Sequence, residues 1–514
     1  MRTLDLVLTN RYQDSVTLMQ VAVKLRAIEG IEDASLMMGT EPNKEMLGEA
    51  GLLTPEGQAA GPNDLIVAIR GTESGLESAT GQLESLLQAE VATGEARREE
   101  EPHSLASGLA AFPEANLALI STPGLYAAAE ARKALLQGRH VMIFSDNVSL
   151  EDEQALKALA AERGLLLMGP DCGTAILGGV PLGFANVVRR GAIGVVGASG
   201  TGMQEVTSLV DRYGQGISHA IGTGSRDLSE RINGAMTLAG LGALLADPGT
   251  GVVVLVSKPP HLAVAERVLA AAGESAKPVV VAFLGADPRS LPTGGQGNIS
   301  TVQTLEEAAR RAVELAGGRP PAVEDPSGDE AMAAEEFKAG QRYVRGLFSG
   351  GTFCYEAMLI LRGTLGPVHS NTPLSPELAL SDSHRSEGHT CLDLGSDEFT
   401  VGRPHPMIDM TTRAERILTE AADPEVAVLL LDVVLGYGSH PDPVGALSQT
   451  IKEARRRATS NGRTLAVVAH VCGTEGDPQG LEKQRQALSE VGVIVAPSNA
   501  AAARLAAAIV ARTG

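Results

Sequence analysis

The stretch GVVGASGTGMQEV, residues 194–206, joins a strand, a glycine turn and a helix. A helix N-terminus that follows such a turn offers free N–H groups and a partial positive charge to an anion. The turn at 197–202 spells G-x-x-G-x-G, which is neither the dinucleotide pattern nor the Walker pattern, and no lysine follows it. Ser199 and Thr201 favour an anion site. Both are also ordinary helix-capping residue types, so a purely structural turn remains an alternative.

The composition indicates a large acidic protein built of several α/β domains. A chain of 514 residues predicts three to five domains of roughly 100–200 residues each. A hydrophobic fraction of 44% and 59 glycines are typical of α/β folds with many tight turns. The net charge of −20, with 3% aromatic residues and no tryptophan, disfavours nucleic acid and anionic membranes as partners. We therefore expect small-molecule substrates and protein partners.

Four cysteines, at 172, 354, 391 and 472, lie far apart without a C-x-x-C spacing. This spacing disfavours a zinc site and predicts free thiols in a reducing compartment. The N-terminus lacks the apolar region of a signal peptide, and no apolar run approaches the roughly 20 residues that span a bilayer. The sequence thus predicts a cytoplasmic protein without a metal.

Changes in pattern along the chain predict five segments. Strands and helices alternate in four of them, and the fifth is rich in proline, glycine and acidic residues. The segments are an N-terminal α/β module with its linker (1–104), a doubly wound α/β unit (105–190), an α/β unit that begins near the glycine turn (191–316), a linker (317–338) and a last α/β unit (339–514).

Polar loops follow the predicted strands of the 105–190 unit. Ligands of doubly wound sheets bind beyond the carboxyl ends of the strands. Asn147, Asp171 and Cys172 lie in such loops and are candidate substrate contacts. Cys172 alternatively serves as a small buried filler, since no neighbouring residue in the sequence supplies a base.

Two further loops carry candidate residues. In LLLDVVLGYGSHPDP, Gly436, Gly438 and Ser439 follow an apolar strand and resemble the first glycine turn, so both loops could face one phosphate. His440 could donate a proton there, or be a solvated or capping residue. In FTVGRPHPMID, Arg403 and His405 could hold a carboxylate or phosphate, or belong to a rigid proline loop.

These motifs, in this order, resemble the succinyl-CoA synthetase superfamily and most closely its FdrA branch. IGVVGASGTGMQEV and GPDCG are similar to motifs of the ligase α chain, and LDLGSDEFTVGRPHP and LLLDVVLGYGSHPDP to motifs of the carboxyl-terminal domain of the β chain. QDSVTLMQVAVKL near the N-terminus is similar to FdrA itself. The resemblance implies a multi-domain α/β fold: the N-terminal α/β module, a Rossmann-like CoA-binding-type domain at 105–190, and flavodoxin-like ligase domains at 191–316 and 339–514.

The resemblance further implies that helices starting at Ser199, Gly200 and Thr201 and at Gly438 and Ser439 point at one phosphoryl group, with Gly436 beside them. The ligases' phosphorylated histidine is missing, because ADPRSLPTGGQGNIS contains none. FdrA-type proteins are implied to be subunits of an oxamate carbamoyltransferase in purine (allantoin) breakdown, which converts oxalurate and phosphate into oxamate and carbamoyl phosphate. The alternative is an acyl-CoA synthetase or acyl-CoA-binding protein, for which CoA is a possible cofactor. Other subunits and homo-oligomers are expected partners.

Overall fold

The computed structural model describes residues 2–13, 15–89, 102–289, 291, 297–322, 337–401 and 403–512. Of the predicted linker at 317–338, residues 323–336 lie outside this description, as do residues 90–101 of the predicted N-terminal module and its linker at 1–104. Each of the four α/β segments contains one sheet or most of one.

The N-terminal module is a three-stranded antiparallel sheet with helices packed on it. The strand order is β1-β3-β2, and β3 is buried because it lies between the other two strands. Leu18, Val21 and Leu25 of the first helix pack on the sheet. The elements are β1 (Arg2–Leu8), α1 (Ser15–Arg26), β2 (Ile31–Met38), α2 (Glu41–Glu49), α3 (Pro55–Gln58), β3 (Leu65–Gly71) and α4 (Glu73–Ala89).

The second unit has a parallel three-stranded sheet in the order β4-β5-β6. Its short strands are joined by helices, and the loops after β5 and β6 form one loop edge, in which the Asp171 N–H donates to the Ser145 carbonyl at 2.9 Å. The elements are α5 (Leu105–Ala111), β4 (Leu117–Ile120), α6 (Gly124–Leu136), β5 (His140–Ile143), α7 (Leu150–Glu162) and β6 (Leu167–Met168).

The third unit has a seven-stranded sheet in the order β13-β12-β11-β9-β10-β7-β8. Strands β9 to β13 are parallel, and the hairpin β7–β8 adds antiparallel strands at one edge. The elements are β7 (Thr174–Leu177), β8 (Val180–Gly183), β9 (Arg190–Gly197), α8 (Gly200–Arg212), β10 (Ile217–Gly222), α9 (Ala235–Ala246), β11 (Val252–Ser257), α10 (Leu262–Gly273), β12 (Val279–Phe283), β13 (Ile299–Thr301) and α11 (Leu305–Leu315).

The fourth unit has a six-stranded parallel sheet in the order β15-β16-β14-β17-β18-β19. Its central strand β17 is buried over all of its length. The elements are β14 (Tyr343–Phe348), α12 (Gly351–Leu365), β15 (Val368–His369), β16 (His389–Asp393), α13 (Asp397–Thr400), α14 (Thr411–Ala422), β17 (Val426–Val434), α15 (Pro443–Ser460), β18 (Ala466–Cys472), α16 (Leu481–Glu490), β19 (Ile494–Ala496) and α17 (Asn499–Ala511).

The α/β fold class predicted from the sequence is confirmed, with a long parallel sheet in each of the last two units. The sheets depart from the segments predicted from the sequence at the β7–β8 hairpin. The hairpin β7–β8 lies before residue 190, yet it pairs with β10 of the following unit. Pairing partners of an edge hairpin are chosen in three dimensions, so strand periodicity could not assign it to a sheet.

One hydrophobic core joins the third and fourth units. Helices α8 and α11 of the third unit and α12 and α17 of the fourth lie between the two long sheets and pack on one another. Their residues and the facing strand residues form a single buried cluster. The two sheets are therefore fixed relative to each other by apolar burial, the dominant favourable term in folding.

A buried polar network crosses this core. The Glu205 carboxylate lies 2.9 Å from His470 Nε2 and accepts the Asn499 backbone N–H. Asn499 Nδ2 donates to Glu356 Oε2 at 2.8 Å, and Glu356 Oε1 accepts the Leu305 N–H at 2.7 Å. The network therefore joins α8, α11, α12, β18 and α17 inside the shared core.

The buried carboxyl of Glu356 predicts a pH-dependent stability. Burial raises the pKa of Glu356 from 4.5 to about 7, although the hydrogen bonds from Asn499 and from the Leu305 N–H act to lower this pKa. The folded state thus holds this proton more tightly than the unfolded state, so stability falls as pH rises from about 4.5 to about 7, by about 3 kcal/mol at most. In Glu356→Gln, whose side chain does not titrate, calorimetric unfolding temperatures should fall less across this window than those of the wild type.

The exposed Glu266→Gln serves as the control and should keep the wild-type pH slope. An equal slope in Glu356→Gln and the wild type would show that this carboxyl does not titrate in the window.

Candidate functional site

The glycine turn of residues 197–202 starts α8 as the sequence predicts. Ser199 is the N-cap, with extended backbone angles, and its hydroxyl accepts the Gly202 N–H at 3.1 Å. A Cβ on Gly197 would lie 2.6 Å from Met203 Cγ, so this close turn requires glycine. The remaining N–H groups of the first turn are free of intrahelical partners, as at every helix start.

A second helix N-terminus meets this one. Helix α12 begins at Gly351 after the N-cap Gly350. The Ser199 and Thr352 hydroxyl oxygens are 2.6 Å apart, and a Cβ on Gly350 would lie 2.9 Å from Thr201 Cγ2. The positive ends of two long helices, 13 and 15 residues, therefore converge where small and hydroxyl residues allow close approach.

A buried ion pair holds the turn that leads into α12. The Asp432 carboxylate, at the end of β17, accepts the Ser349 N–H at 2.8 Å, the Ser349 hydroxyl at 2.9 Å and the Gly350 N–H at 2.9 Å. Arg413 Nη2 lies 3.0 Å from the same carboxylate, and both side chains are buried. Asp432 and Arg413 thus position the second helix N-terminus.

Asp393 borders the α12 N-terminus at the end of β16. A Cβ on Gly351 would collide with its carboxylate, which accepts the Gly395 N–H at 3.0 Å. Burial raises the pKa of Asp393 to about 6, with Lys258 and the Gly395 N–H opposing and Asp432 and Asp397 adding to the rise. The site therefore contains a carboxyl group that titrates close to neutral pH.

His405 lies on the same side of the site. A Cβ on Gly395 would lie 2.6 Å from His405 Nε2 and 2.8 Å from the Ser349 carbonyl oxygen. His405 Nδ1 accepts the Met407 N–H at 3.2 Å, and burial lowers the His405 pKa to about 4. The neutral ring then carries its proton on Nε2, which makes His405 a hydrogen-bond donor near the α12 N-terminus.

The loop of residues 436–440 corrects one prediction. No helix begins at Gly438 or Ser439, because α15 begins at Pro443 and is capped by Asp442. Gly436 and Gly438 have positive φ angles of 106° and 79°. The Tyr437 N–H donates to the Ala185 carbonyl, and a Cβ on Gly438 would lie 2.8 Å from Phe184 Cδ1. These glycines serve close packing between the third and fourth units.

The other candidates in this part of the chain, Arg403 and His440, both lie near Glu415. Arg403 is about half exposed and lies 3.5 Å from Glu415. His440 Nδ1 accepts the Asp442 N–H at 3.0 Å, and burial lowers the His440 pKa. His440 lines a cavity of about 320 Å³ together with Asp409 and Glu415. A catalytic role for His440 and substrate binding by Arg403 stay predictions.

Asn147 and Asp171 lie in the neighbouring loops after β5 and β6, and their substrate-binding role stays a prediction. Both have left-handed backbones, with φ of 53° and 55°, which is uncommon outside glycine and is found at functional sites. The pKa values of Asp146 and Asp171 are raised by reduced hydration and, more weakly, by repulsion from Asp397 of α13. The loop edge adjoins His405, because the Phe184 ring lies 5.6 Å from the Phe144 ring and 5.8 Å from the His405 ring.

Cys172, the third candidate of the second unit, lies in the hydrophobic core. Its side chain is 2% exposed and packs in the core with Met142 and Met168, and burial raises its thiol pKa to about 12. A buried, protonated thiol is not placed to contact substrate, so its alternative interpretation as a small core residue fits the structure.

Sequence reasoning missed the second helix N-terminus. Residues 348–352 read FSGGT, a strand end followed by Ser-Gly-Gly-Thr and a helix, which closely repeats the Ser-Gly-Thr-Gly of the first turn. The similarity of the two stretches is the sequence signal that would have predicted the second helix N-terminus. Asp393, Lys258 and the Asp432–Arg413 pair carry no local signal, since their importance comes from contacts with distant residues.

Comparison with known proteins assigns families to three segments of the chain. A CoA-ligase family model matches residues 347–509, and a CoA-binding-domain model matches residues 188–285. A model described as "AllF, heavy metal-associated domain" matches residues 1–103. The CoA-binding match covers the unit with α8, which the sequence analysis treated as a ligase domain.

Similar proteins agree with these assignments. YahF of Escherichia coli, described as an uncharacterized protein, is 47% identical over 495 residues, which are 95% of each chain. The chain belongs to the same family as YahF. SqwL, an ADP-forming sulfoacetate-CoA ligase subunit of an Acholeplasma species, is 27% identical over 198 residues, 34% of this chain and 64% of SqwL. Succinate–CoA ligase subunit alpha-2 of Trichomonas vaginalis is 28% identical over 216 residues, 40% and 69% of the chains.

The YahF-family chain thus has CoA-binding and CoA-ligase domains of the succinyl-CoA synthetase type, and the predicted superfamily is confirmed. Its place in the FdrA branch stays a prediction. Among the described residues, no helix combines the length and apolar character needed to cross a bilayer.

The residues of the N-terminal module do not fit the heavy metal in its family description. Soft metals prefer thiolate and imidazole ligands, but the first cysteine of the YahF-family chain is Cys172 and the only histidine before residue 104 is His103. Nor does any group of three or more His, Cys, Asp or Glu residues suited to a metal ion occur in the ranges that the structure describes.

The Gly351–Asp393 contact predicts an intolerance of larger residues in the first turn of α12. In Gly351→Ala, the new Cβ must displace the buried Asp393 carboxylate, and we expect a loss of about 1–3 kcal/mol in the free energy of unfolding. Urea unfolding of the purified chain measures this loss.

Gly363→Ala, in the same helix, is the matched control, because an added Cβ at this position has no atom within 4 Å. It should leave stability unchanged or raise it by up to about 1 kcal/mol. Equal stabilities of Gly351→Ala and Gly363→Ala would contradict the contact.

Proposed function

We propose that this chain is an acyl-CoA ligase-type enzyme subunit that holds the phosphoryl group of an acyl phosphate where α8 and α12 meet. The observation that carries the proposal is the 2.6 Å contact between the Ser199 and Thr352 hydroxyls, which brings two helix N-termini to one point. Free N–H groups and hydroxyls at such a point are suited to a phosphate. The CoA-ligase and CoA-binding matches cover these two helices.

The reaction that fits this arrangement is transfer of an acyl group between phosphate and CoA. The CoA sulfur attacks the acyl carbonyl, a C–S bond forms, and the bond from the carbonyl carbon to the phosphate oxygen breaks. The thiol proton ends on the released phosphate, so an acyl phosphate and CoA give an acyl-CoA and inorganic phosphate. Helix N-termini aimed at the phosphate stabilise the charge that it gains as the bond breaks.

The loop edge around Asn147 and Asp171 supports a place for CoA next to this point. It lies at the carboxyl ends of parallel strands, where α/β sheets bind ligands. Phe184 connects it with the helix junction, because its ring lies 5.6 Å from the Phe144 ring and 5.8 Å from the His405 ring. A long ligand bound along the loop edge would bring one end to the phosphoryl group.

The carbamoyltransferase function implied by the resemblance finds no support in the comparisons, whereas the acyl-CoA ligase alternative does. Carbamoyl phosphate is nevertheless useful as a probe, because it too joins a carbonyl group to a phosphate. Other subunits, a homo-oligomeric assembly and a cytoplasmic location remain part of the proposal.

Calorimetric titration tests the proposal on the full chain. CoA should bind, and inorganic phosphate should bind roughly threefold to tenfold more weakly to Ser199→Ala and to Thr352→Val, because each variant loses one hydroxyl at the junction. Thr364→Val, exposed on the same helix, is the matched control and should bind phosphate as the wild type does.

Acetyl phosphate and carbamoyl phosphate are then compared as acyl donors to CoA by following the thioester product. Failure of CoA to bind, together with phosphate binding that is indifferent to both junction variants, would overturn the proposal. A product from carbamoyl phosphate and oxamate without CoA would favour the transferase instead.

Asp393 predicts the pH dependence of anion binding. Its carboxyl has a raised pKa of about 6 and repels a bound anion when ionised, so binding should tighten as pH falls through this value. Sulfate is the suitable probe because its charge stays constant in this range. Titrations from about pH 5 to about pH 8 should show this dependence in the wild type and a flat profile in Asp393→Asn. A profile unchanged by the substitution would contradict the assignment.

A further inference from the structure

Lys258 directly follows β11 and lies beside the junction of the two helices. The Ala198 N–H, in the turn before α8, donates to the Val256 carbonyl at 3.1 Å, which joins the end of β11 to that turn. Lys258 comes directly after Ser257, the last residue of β11, so its backbone lies two residues from this hydrogen bond. Val256 belongs to the core shared with α8 and α12.

The Lys258 ammonium reaches α12 without forming an ion pair. Its Nζ lies 5.6 Å from the centroid of the Tyr355 ring, in the second turn of α12. Within the ranges that the structure describes, Lys258 has no hydrogen bond or salt bridge. In a chain with 62 acidic and 42 basic residues, a cation beside a buried site and without a carboxylate partner indicates that its charge serves something else.

The positive charge of Lys258 interacts with the Asp393 carboxyl at the helix junction. It is the group that most strongly opposes the rise in the pKa of Asp393, the carboxyl group next to Gly351. Asp397 and Asp432 also face Asp393, and Asp432 is already paired with Arg413. Lys258 forms no salt bridge among the described residues, so its ammonium is positioned to contact a ligand as well as to act on Asp393.

We propose that Lys258 binds the phosphoryl group directly and makes the site specific for doubly charged anions. This inference rests on the proposed function. Each helix N-terminus contributes about half an elementary charge, so the two helices alone match a singly charged carboxylate. With the ammonium the total is about two positive charges while the Asp393 carboxyl is protonated, below its pKa of about 6, and this total matches an acyl phosphate or sulfate dianion. The site then discriminates a phosphorylated acyl group from the free acid.

Sulfate titration of the full chain at about pH 5, where the Asp393 carboxyl is protonated, tests this inference with two substitutions. Lys258→Met removes the charge but keeps an unbranched apolar side chain against Tyr355, and it should weaken sulfate binding about tenfold to a hundredfold. Lys258→Arg keeps the charge and should stay within about fivefold of the wild type. Lys452→Met, an exposed lysine of the fourth unit, is the control and should bind sulfate normally.

Formate provides the second measurement, because it carries one charge. The preference for sulfate over formate should fall in Lys258→Met and persist in Lys258→Arg. Lys258→Gln takes the place of the methionine variant if that variant lacks a cooperative unfolding transition.

The outcomes separate this inference from the proposed function. If Lys258→Met binds sulfate as the wild type does while Thr352→Val weakens binding, the anion site stands and the role of Lys258 is overturned. If both variants bind sulfate normally, the site at the helix junction fails, and this inference fails with it. Weakening in both, with rescue by arginine, supports both.

Discussion

The contact between the starts of α8 and α12 depends on the core that these helices share. Both helices lie between the two long sheets, where α11 and α17 pack beside them. Apolar burial fixes the helix axes, and the small residues Gly202 and Gly350 then let the N-termini approach, since an added Cβ would lie 3.2 Å from Thr352 and 2.9 Å from Thr201 respectively. The hydroxyls of Ser199 and Thr352 meet at 2.6 Å because the packing brings them there.

Buried charged side chains set the electrostatic environment of the junction between α8 and α12. Asp432 with Arg413 satisfies the N–H groups of the turn before α12, and Glu205 with His470 lies within the core. A buried carboxylate is tolerated when it is paired or hydrogen-bonded in this way. Asp393 is less well compensated, which explains its raised pKa, and Lys258, which acts on it, forms no salt bridge among the residues described. These two incompletely compensated groups lie at the junction.

The local features of the sequence predicted much of this architecture. Apolar strands followed by polar loops gave the α/β class, and the turn at residues 197–202 gave the start of α8 with Ser199 as its cap. These features depend on residues close in the chain, whose backbone preferences and periodicity can be read directly. The helix start at Gly438 and Ser439, which the resemblance implied, was wrong, because this loop packs against Phe184 and Ala185 before α15 begins; its phosphate-binding role stays a prediction.

The sequence by itself determined the fold class, the superfamily resemblance and one of the two helix N-termini. Only the tertiary structure decided that α12, not α15, is the partner of α8, and that Asp393, His405 and Lys258 surround their junction. Ser199 and Thr352 are 153 positions apart in the chain. Their meeting depends on how two sheets pack on four shared helices, and such packing is a property of the whole core rather than of any local sequence pattern.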